Sequence, residues 1–344
     1  MLFRSQLFEE MKQILEQGDD LVLVTVIAGS GSTPRGAGAR MIVRKDGTTM
    51  GTIGGGAVEY QAGRMALDVL ESKSSFSKGF KLVKGQVADL GMICGGDVVV
   101  YFQYVSPDNK DFLAICEEGI QACERDEDSW IITDITDETA WAVGIYSESR
   151  GFAGITVEGD IEPLTQAKAV QTSVSGRKYY SEPLQRAGTV YVFGGGHVAQ
   201  ELVPVIAHVG FKCVVYDDRP EFANSRLFPD AVNTIVGDFT SVFDKVTIRE
   251  QDYVVIMTRG HQCDYDVQKQ VLKTPAHYIG VMGSRQKLMT LAGKLKAEGF
   301  TDRDIERFYS PIGLAILAET PAEIAISVAG ELIMVRARRE GRTK

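Results

Sequence analysis

The chain has 344 residues, of which 44% are hydrophobic and 24% charged, and its formal net charge is −9. This composition is ordinary for a globular protein, and the length allows two domains, each with a core of its own. No apolar run is long enough to span a membrane, and the N-terminus turns acidic before a signal-peptide core could form. We therefore expect a cytoplasmic protein without membrane partners.

Charge and cysteine usage exclude further classes of protein. Basic residues cluster only in a short C-terminal tail, at the end of a predicted helix, which argues against nucleic-acid binding. The five cysteines are scattered and include no CxxC pair. The sequence therefore predicts neither a disulfide framework nor a metal site.

The N-terminal half predicts a mixed α+β domain over residues 1–180. Apolar residues at helical spacing predict three helices, and β-branched or alternating apolar runs predict seven strands. The helices are expected over 5–16, 57–70 and 107–123, and the strands over 21–28, 41–44, 48–53, 80–84, 98–105, 130–135 and 140–146. Residues 151–186 are polar and poorly periodic, so the domain boundary is expected in or just after them.

Two glycine-rich segments of this half are predicted to bind an anion. The loop 29–40 follows a buried strand and carries Arg35 and Arg40, which could hold a phosphate, although an ordinary surface loop is an equal alternative. Gly54, Gly55 and Gly56 stand between a strand and a helix, an arrangement typical of an anion-binding helix start.

The stretch 189–218 predicts a strand, a tight turn, a helix and a second strand, the first unit of a dinucleotide-type fold. Gly194 would allow the tight turn, and Gly196 would let backbone amides approach a pyrophosphate. Asp217 follows Gly194 by about 20 residues, the distance expected of a carboxylate that holds ribose hydroxyls. His197 could meet a ligand phosphate, or it could cap the helix or face solvent.

Strands and helices continue to alternate after Asp217, which predicts a C-terminal Rossmann-like parallel-sheet domain over 187–344. The overall fold class is therefore α/β. Further strands are expected over 233–236, 253–257 and 278–282, and further helices over 267–272, 286–298 and from Thr320 onward, where a capping box precedes the last helix.

Cys94 is the candidate reactive residue. It lies in the glycine-rich loop MICGGD, where no apolar periodicity accounts for it. A thiol in such a loop could be a nucleophile, a soft metal ligand or a sulfur carrier, or only a buried thiol, whereas Cys116, Cys123 and Cys213 are expected to be packing residues. His261, Asp264 and Asp266 could handle a proton or a metal, but Asp264 is more simply a helix cap.

Several segments, taken in order, resemble the XdhC/CoxI-type family of xanthine dehydrogenase accessory proteins. They extend over nearly the whole chain and are far more specific together than one glycine pattern. They read GSTPRGAGARM, TIGGGAVE, MICGGD around Cys94, VFGGGHVA, YIGVMGSRQK and SPIGLAILAETPAEIAISVAGELI.

The resemblance implies a maturation factor rather than an enzyme. Such a protein would bind molybdenum cofactor (molybdopterin) as cargo and assist its sulfuration and insertion into a molybdenum hydroxylase of the xanthine dehydrogenase type. A cysteine desulfurase is a candidate second partner, and we expect a homodimer. Cys94 would then contact the molybdenum centre or its terminal sulfur.

An NAD-dependent oxidoreductase is the main alternative, with its site between Gly194 and Asp217. Asp217 and Asp218 would repel the 2′-phosphate of NADP and so favour NAD. A nucleotidyl transferase fits less well, because the sequence has no carboxylate pattern for a metal-bound nucleoside triphosphate.

Overall fold

The computed structural model describes residues 2–31, 37–82, 96–137, 141–185, 188–283 and 285–340. The chain divides into two compact units, Phe3–Arg186 and Ala187–Lys344, the second including the first two residues. Arg35 and Cys94 lie outside the described residues. Among the described residues, each helix is too short or too polar to cross a bilayer.

The unit Phe3–Arg186 contains two five-stranded antiparallel sheets. The first has the order β3-β2-β1-β5-β4, and the second has the order β8-β7-β6-β10-β9. The strands are β1 Leu21–Gly31, β2 Arg40–Arg44, β3 Thr49–Gly51, β4 Phe76–Leu82, β5 Gly96–Val105, β6 Ser129–Asp134, β7 Ala142–Ser147, β8 Gly151–Ala153, β9 Val170–Val174 and β10 Arg177–Gln185, and the helices are α1 Leu2–Glu16, α2 Gly56–Ser72 and α3 Lys110–Glu124.

Residues 21–27 of strand β1 are almost all apolar because both faces of this part of the strand are covered. Leu21 and Leu23 join a core that also contains side chains of α1, α3 and the second sheet. Val22, Val24 and Val26 point the other way, into a core formed with α2. A strand buried on both faces has no polar alternation, so the continuous run in the sequence follows from this position.

Residues 151–186, which are polar and poorly periodic in the sequence, nevertheless supply strands β8, β9 and β10. Strand β9 is an edge strand, and within it only Val174 is buried, so apolar alternation is weak. In β10 the register shifts between Pro183 and Gln185, where a proline interrupts the ladder. Strand β1 also extends further than predicted and includes residues 29–31 of the expected loop.

The unit Ala187–Lys344 is built on a six-stranded parallel sheet, which confirms the predicted Rossmann-like class. The order is β13-β12-β11-β14-β15-β16, the arrangement in which ligands bind where the strand order reverses, beside β11 and β14. The strands are β11 Thr189–Phe193, β12 Lys212–Asp217, β13 Asn233–Val236, β14 Tyr253–Ile256, β15 Tyr278–Val281 and β16 Phe308–Tyr309, and the helices are α4 His197–His208, α5 His261–Val271, α6 Arg285–Ala297, α7 Asp302–Ile305 and α8 Pro321–Arg339.

Helices cover both faces of this sheet. Helices α4 and α8 pack together on one face, and α5 and α6 contribute to the core on the other. Helix α5 begins at His261 rather than at residue 267, and strand β16 and helix α7 were not predicted. The first turns of α5 bury polar side chains, Asp264 and Asp266 among them, so the apolar periodicity starts only at Val267.

Two helix-interior glycines make a matched test of packing. A methyl group on Gly119 of α3 would lie 2.6 Å from the buried ring of Phe8, whereas nothing lies within 4 Å of a methyl group on Gly63 of α2. We expect Gly63→Ala to raise the free energy of unfolding by up to about 1 kcal/mol through helix propensity. Gly119→Ala should lower it by about 1–3 kcal/mol, because overpacking outweighs that gain.

Thermal and urea unfolding of the full chain would measure both effects. A stabilised Gly119→Ala protein would show that Phe8 can move aside at little cost.

Candidate functional site

The glycine-rich turn between β11 and α4 lies at the reversal of strand order. Gly194 has φ 110°, and its amide donates to the carbonyl oxygen of Tyr216 at 2.8 Å. A side chain at Gly194 would lie 2.3 Å from the carbonyl oxygen of Met257, and one at Gly195 would lie 1.9 Å from that of Phe222. At Gly196, the residue that precedes α4, the space is open.

Asp217, predicted to hold ribose hydroxyls, holds the turn itself. Its carboxylate is fully buried, and Oδ2 accepts a hydrogen bond from the Gly195 amide at 2.9 Å. Arg219 donates to the same carboxylate from its backbone amide and from its guanidinium, at 2.9–3.1 Å. Burial alone would raise the pKa of Asp217, but these hydrogen bonds outweigh it and hold the pKa below the ordinary aspartate value.

The two carboxylates at the end of β12 are each paired with an arginine. The predicted preference for NAD over NADP, which depended on their charge, therefore loses its basis. Arg219 pairs with Asp217, and Arg259 donates to Oδ2 of Asp218 at 2.6 Å. The Arg219 guanidinium also lies 3.8 Å from the centre of the Phe222 ring. Two carboxylates that each have an arginine partner no longer repel a 2′-phosphate by charge.

The other polar candidates of this unit have separate positions. His197 is exposed at the first residue of α4, beside the open Gly196. His261 is exposed at the start of α5. Asp264 accepts hydrogen bonds from the amide and hydroxyl of Thr258, at 3.0 and 2.6 Å, so it fastens the end of β14 rather than capping a helix that starts after it. No group of His, Cys, Asp and Glu within the described ranges is placed to hold a metal ion.

The second glycine-rich turn, at Gly54, Gly55 and Gly56, also binds a side-chain carboxylate of the same chain. All three glycines have positive φ. Oε2 of Glu59 accepts from the amides of Ile53 and Gly55, both at 2.9 Å, and from the Thr52 hydroxyl at 2.5 Å. The predicted anion position is therefore filled by a carboxylate.

The role of Glu59 was not predicted, although the sequence contained a signal for it. A glutamate within the first turns of a helix often reaches back to backbone amides that precede the helix. Burial would raise the pKa of Glu59, but the hydrogen bonds from Thr52 and the turn amides outweigh it and lower the pKa below its ordinary value.

Arg40, a predicted anion contact, is already paired. It forms a buried ion pair with Glu182 of β10, whose side chain is 5% exposed. A side chain at Gly38 would collide with the same carboxylate, so this glycine allows the close approach of the two segments.

The structure describes Gly31 and Gly96, the strand ends that are nearest in the sequence to Arg35 and Cys94. These two glycines are register partners of β1 and β5.

Three of the other cysteines are packing residues, as predicted. Cys116, Cys123 and Cys213 are buried within hydrophobic clusters. Burial raises the pKa of the Cys116 and Cys213 thiols to about 12, which keeps both protonated and unreactive at neutral pH. Cys263 is partly exposed.

Two protein families match segments of the chain. Residues 190–332 match the XdhC Rossmann domain, and residues 14–78 match the XdhC and CoxI family. A solved structure named as a xanthine dehydrogenase from Bacillus halodurans is similar with a TM-score of 0.78 and 25% sequence identity, over 96% of each chain.

Curated relatives match along nearly the whole chain. It is 26% identical over 339 residues to a probable xanthine dehydrogenase subunit of Bacillus subtilis, covering 94% of this chain and 96% of that protein. It is 24% identical over 331 residues to the uncharacterized protein YqeB of Escherichia coli, covering 96% of this chain but only 46% of that protein. It is 20% identical over 335 residues to the molybdenum cofactor insertion chaperone PaoD of Escherichia coli, covering 95% of this chain and 87% of that protein.

The lowered pKa of Asp217 predicts a pH-dependent contribution to stability. A carboxylate whose folded pKa lies below its unfolded value stabilises the fold above about pH 4, and that contribution is lost as pH falls through the folded pKa. Asp217→Asn should therefore be less stable than the wild type by about 1–3 kcal/mol at pH 7. This difference should shrink below about pH 4.

Urea unfolding across this pH range, with the exposed Asp230→Asn as control, would measure the difference. A difference that does not depend on pH would contradict the assigned ionisation.

Removal of Glu59 should make the thermal stability of the protein depend on added anions. Glu59→Ala leaves the turn amides without their acceptor, at a cost of about 1–3 kcal/mol. Sulfate or formate should then restore part of the lost thermal stability by occupying the same position. The wild type and Glu71→Ala, an exposed glutamate of the same helix, should not respond beyond the effect of chloride at equal ionic strength. Equal responses in all three proteins would rule out an anion position in this turn.

Proposed function

The chain belongs to the XdhC and CoxI family, and on that premise we propose that it is an accessory protein of a molybdenum hydroxylase of the xanthine dehydrogenase type. It would bind molybdenum cofactor as cargo and assist its sulfuration and its insertion into the apo-enzyme. The relative named as a molybdenum cofactor insertion chaperone supports this assignment.

The observation that carries the proposal is the buried carboxylate of Asp217. A dehydrogenase of this fold uses the acid at this position to bind the ribose of its dinucleotide. Here the same carboxylate is fully buried and accepts from Gly195 and Arg219. The parallel sheet thus retains its glycine-rich turn without the ribose contact, which favours a cargo-binding protein over a nicotinamide enzyme.

We assign the phosphate of the cofactor to the start of α4. Gly196 leaves open space there, His197 is exposed beside it, and the first amides of a helix attract an anion. Gly194 and Asp217 position this turn without touching the ligand. In the N-terminal unit, Gly54, Gly55 and Gly56 are a further proposed contact, although a ligand phosphate would have to replace the carboxylate of Glu59.

Cys94 is the proposed contact to the molybdenum centre, and Arg35 is the proposed contact to an anionic part of the cofactor. A thiolate suits this role because it is both a metal ligand and the nucleophile used in sulfur transfer. A cysteine desulfurase, the proposed second partner, would supply the sulfur atom. The chain's own part is to hold the cofactor during that exchange and during its transfer.

Binding experiments under anaerobic conditions can separate the proposal from the oxidoreductase alternative. The full chain should bind molybdopterin, detected by its fluorescence and by native mass spectrometry, and should give no calorimetric heat with NAD at millimolar concentration. Cys94→Ala should weaken molybdopterin binding at least about tenfold, the loss of one good contact of about 1.4 kcal/mol. Cys263→Ala is the matched thiol control and should bind as the wild type does.

Three results would contradict parts of the proposal. If the intact chain fails to bind molybdopterin, the carrier function is wrong. If Cys94→Ala binds as tightly as the wild type, only the cysteine assignment is wrong. If NAD binds and molybdopterin does not, the result favours the oxidoreductase alternative over the accessory function.

A further inference from the structure

A cavity lies between the two sheets of the unit Phe3–Arg186, beside helices α1 and α3. Its volume is about 40 Å³. On the scale on which a water molecule requires about 10–15 Å³, this is room for about three or four non-hydrogen atoms. The strands contribute polar lining residues and the helices apolar ones, among them Thr25, Gln103 and Thr133 from the strands and Phe8, Met11 and Phe112 from the helices.

Two threonine side chains of the cavity wall are buried without a hydrogen-bond partner among the described residues. Thr25 of β1 is 7% exposed, and Thr133 of β6 is 8% exposed. The inner faces of packed sheets normally carry apolar side chains, and a buried hydroxyl without a partner destabilises the folded protein. Two such hydroxyls at one cavity therefore require an explanation.

The strand registers place these two threonines at the same part of the cavity. Thr25 is the register partner of Arg40, which forms the buried ion pair with Glu182 of the second sheet. Glu182 is in turn the register partner of Ile131. Ile131 and Thr133 are two residues apart on one strand, so their side chains point to the same face of the sheet. The hydroxyls of Thr25 and Thr133 thus line the cavity from opposite sheets.

The rest of the lining determines which kind of molecule fits. The helical side of the cavity is apolar through Phe8, Met11 and Phe112, and it offers water no hydrogen bonds. A purely apolar molecule would leave both threonine hydroxyls unpaired. Arg40, a charged residue of the lining, already has Glu182 as its counter-ion, so the cavity does not favour an anion. The lining therefore suits a molecule with one polar atom, a short apolar body and no net charge.

We propose that this cavity is a binding site for a small neutral amphiphile, such as a short-chain alcohol or amide. Its polar atom lies between Thr25 and Thr133, and its carbon atoms pack against Phe8 and Phe112. A carbonyl oxygen accepts from both hydroxyls, whereas an alcohol donates to one and accepts from the other. The occupant in this way links the two sheets. The site belongs to the N-terminal unit, and the inference does not depend on cofactor binding.

Titration of the full chain with isopropanol, followed by NMR of carbon-13-labelled methionine methyl groups, tests the site. Met11 lines the cavity, whereas Met65 packs against a separate core. The Met11 resonance, assigned with Met11→Leu, should shift and reach saturation, with a dissociation constant on the order of millimolar for so small a ligand. The Met65 resonance should not shift.

Two substitutions test the role of the hydroxyls. Thr25→Val and Thr133→Val nearly preserve the shape of the side chain but remove its hydroxyl. Each should raise the dissociation constant for isopropanol about fivefold, the effect of one neutral hydrogen bond. Each should also raise the Tm of the free protein, because a buried hydroxyl without a partner is removed. Thr49→Val, at an exposed position of the same sheet as Thr25, is the matched control and should bind isopropanol as the wild type does.

Three results would overturn the proposal. The first is a Met11 resonance that does not saturate or that shifts no more than the Met65 resonance. The second is a pair of valine variants that are folded by circular dichroism and bind isopropanol as tightly as the wild type. The third is a lower Tm in both valine variants, which would show that the hydroxyls have partners in the free protein.

Discussion

Backbone amides in a tight glycine-rich turn need acceptors, and in the two glycine-rich turns at residues 54–56 and 194–196, both within the described part of the chain, a carboxylate from the chain supplies one. Gly195 donates to Asp217, and Gly55 donates to Glu59, each at 2.9 Å. An amide left without a partner in a buried turn would cost about 1–3 kcal/mol. The shape of each turn therefore depends on one acidic side chain, and so does the part of the turn that a ligand can reach.

In the Rossmann-like unit this requirement extends into a wider network. Asp217 is paired with Arg219, which lies over the ring of Phe222, and the carbonyl of Phe222 approaches Gly195 too closely for any side chain there. The loop after β12 is in this way joined to the turn after β11. Of the three glycines only Gly196 has open space around it, so a ligand phosphate can approach the start of α4 but not the middle of the turn.

This arrangement agrees with the proposed accessory function better than with hydride transfer by the same fold. A dehydrogenase gains specificity by offering a free carboxylate to the ribose, and here that group stabilises the protein instead. The Gly195–Asp217 hydrogen bond thus stabilises the turn and also makes the Asp217 carboxylate unavailable to a ribose.

Local patterns in the sequence determined most of the secondary structure and the α/β class. The apolar run of β1, the capping box at Thr320 and the alternation of strands and helices after Thr189 each depend on residues close in the chain. The signal failed where a strand is barely buried, as in β9, and where the buried side chains are polar, as in the first turns of α5. The glycines of both turns and the acid at Asp217 were likewise recognisable, because their spacing follows from the geometry of one strand–turn–helix unit.

Only the tertiary structure decided what those recognised residues do. Whether Asp217 faces a ribose or a backbone amide depends on Arg219, Phe222 and the register of β12 beside β11, none of which the spacing of Gly194 and Asp217 specifies. In the same way Arg40 looked free to bind an anion until β10 brought Glu182 against it. Sequence spacing reports which groups a local fold can present, but the partners of a buried charge come from distant segments, and those partners determine whether the charge remains available to a ligand.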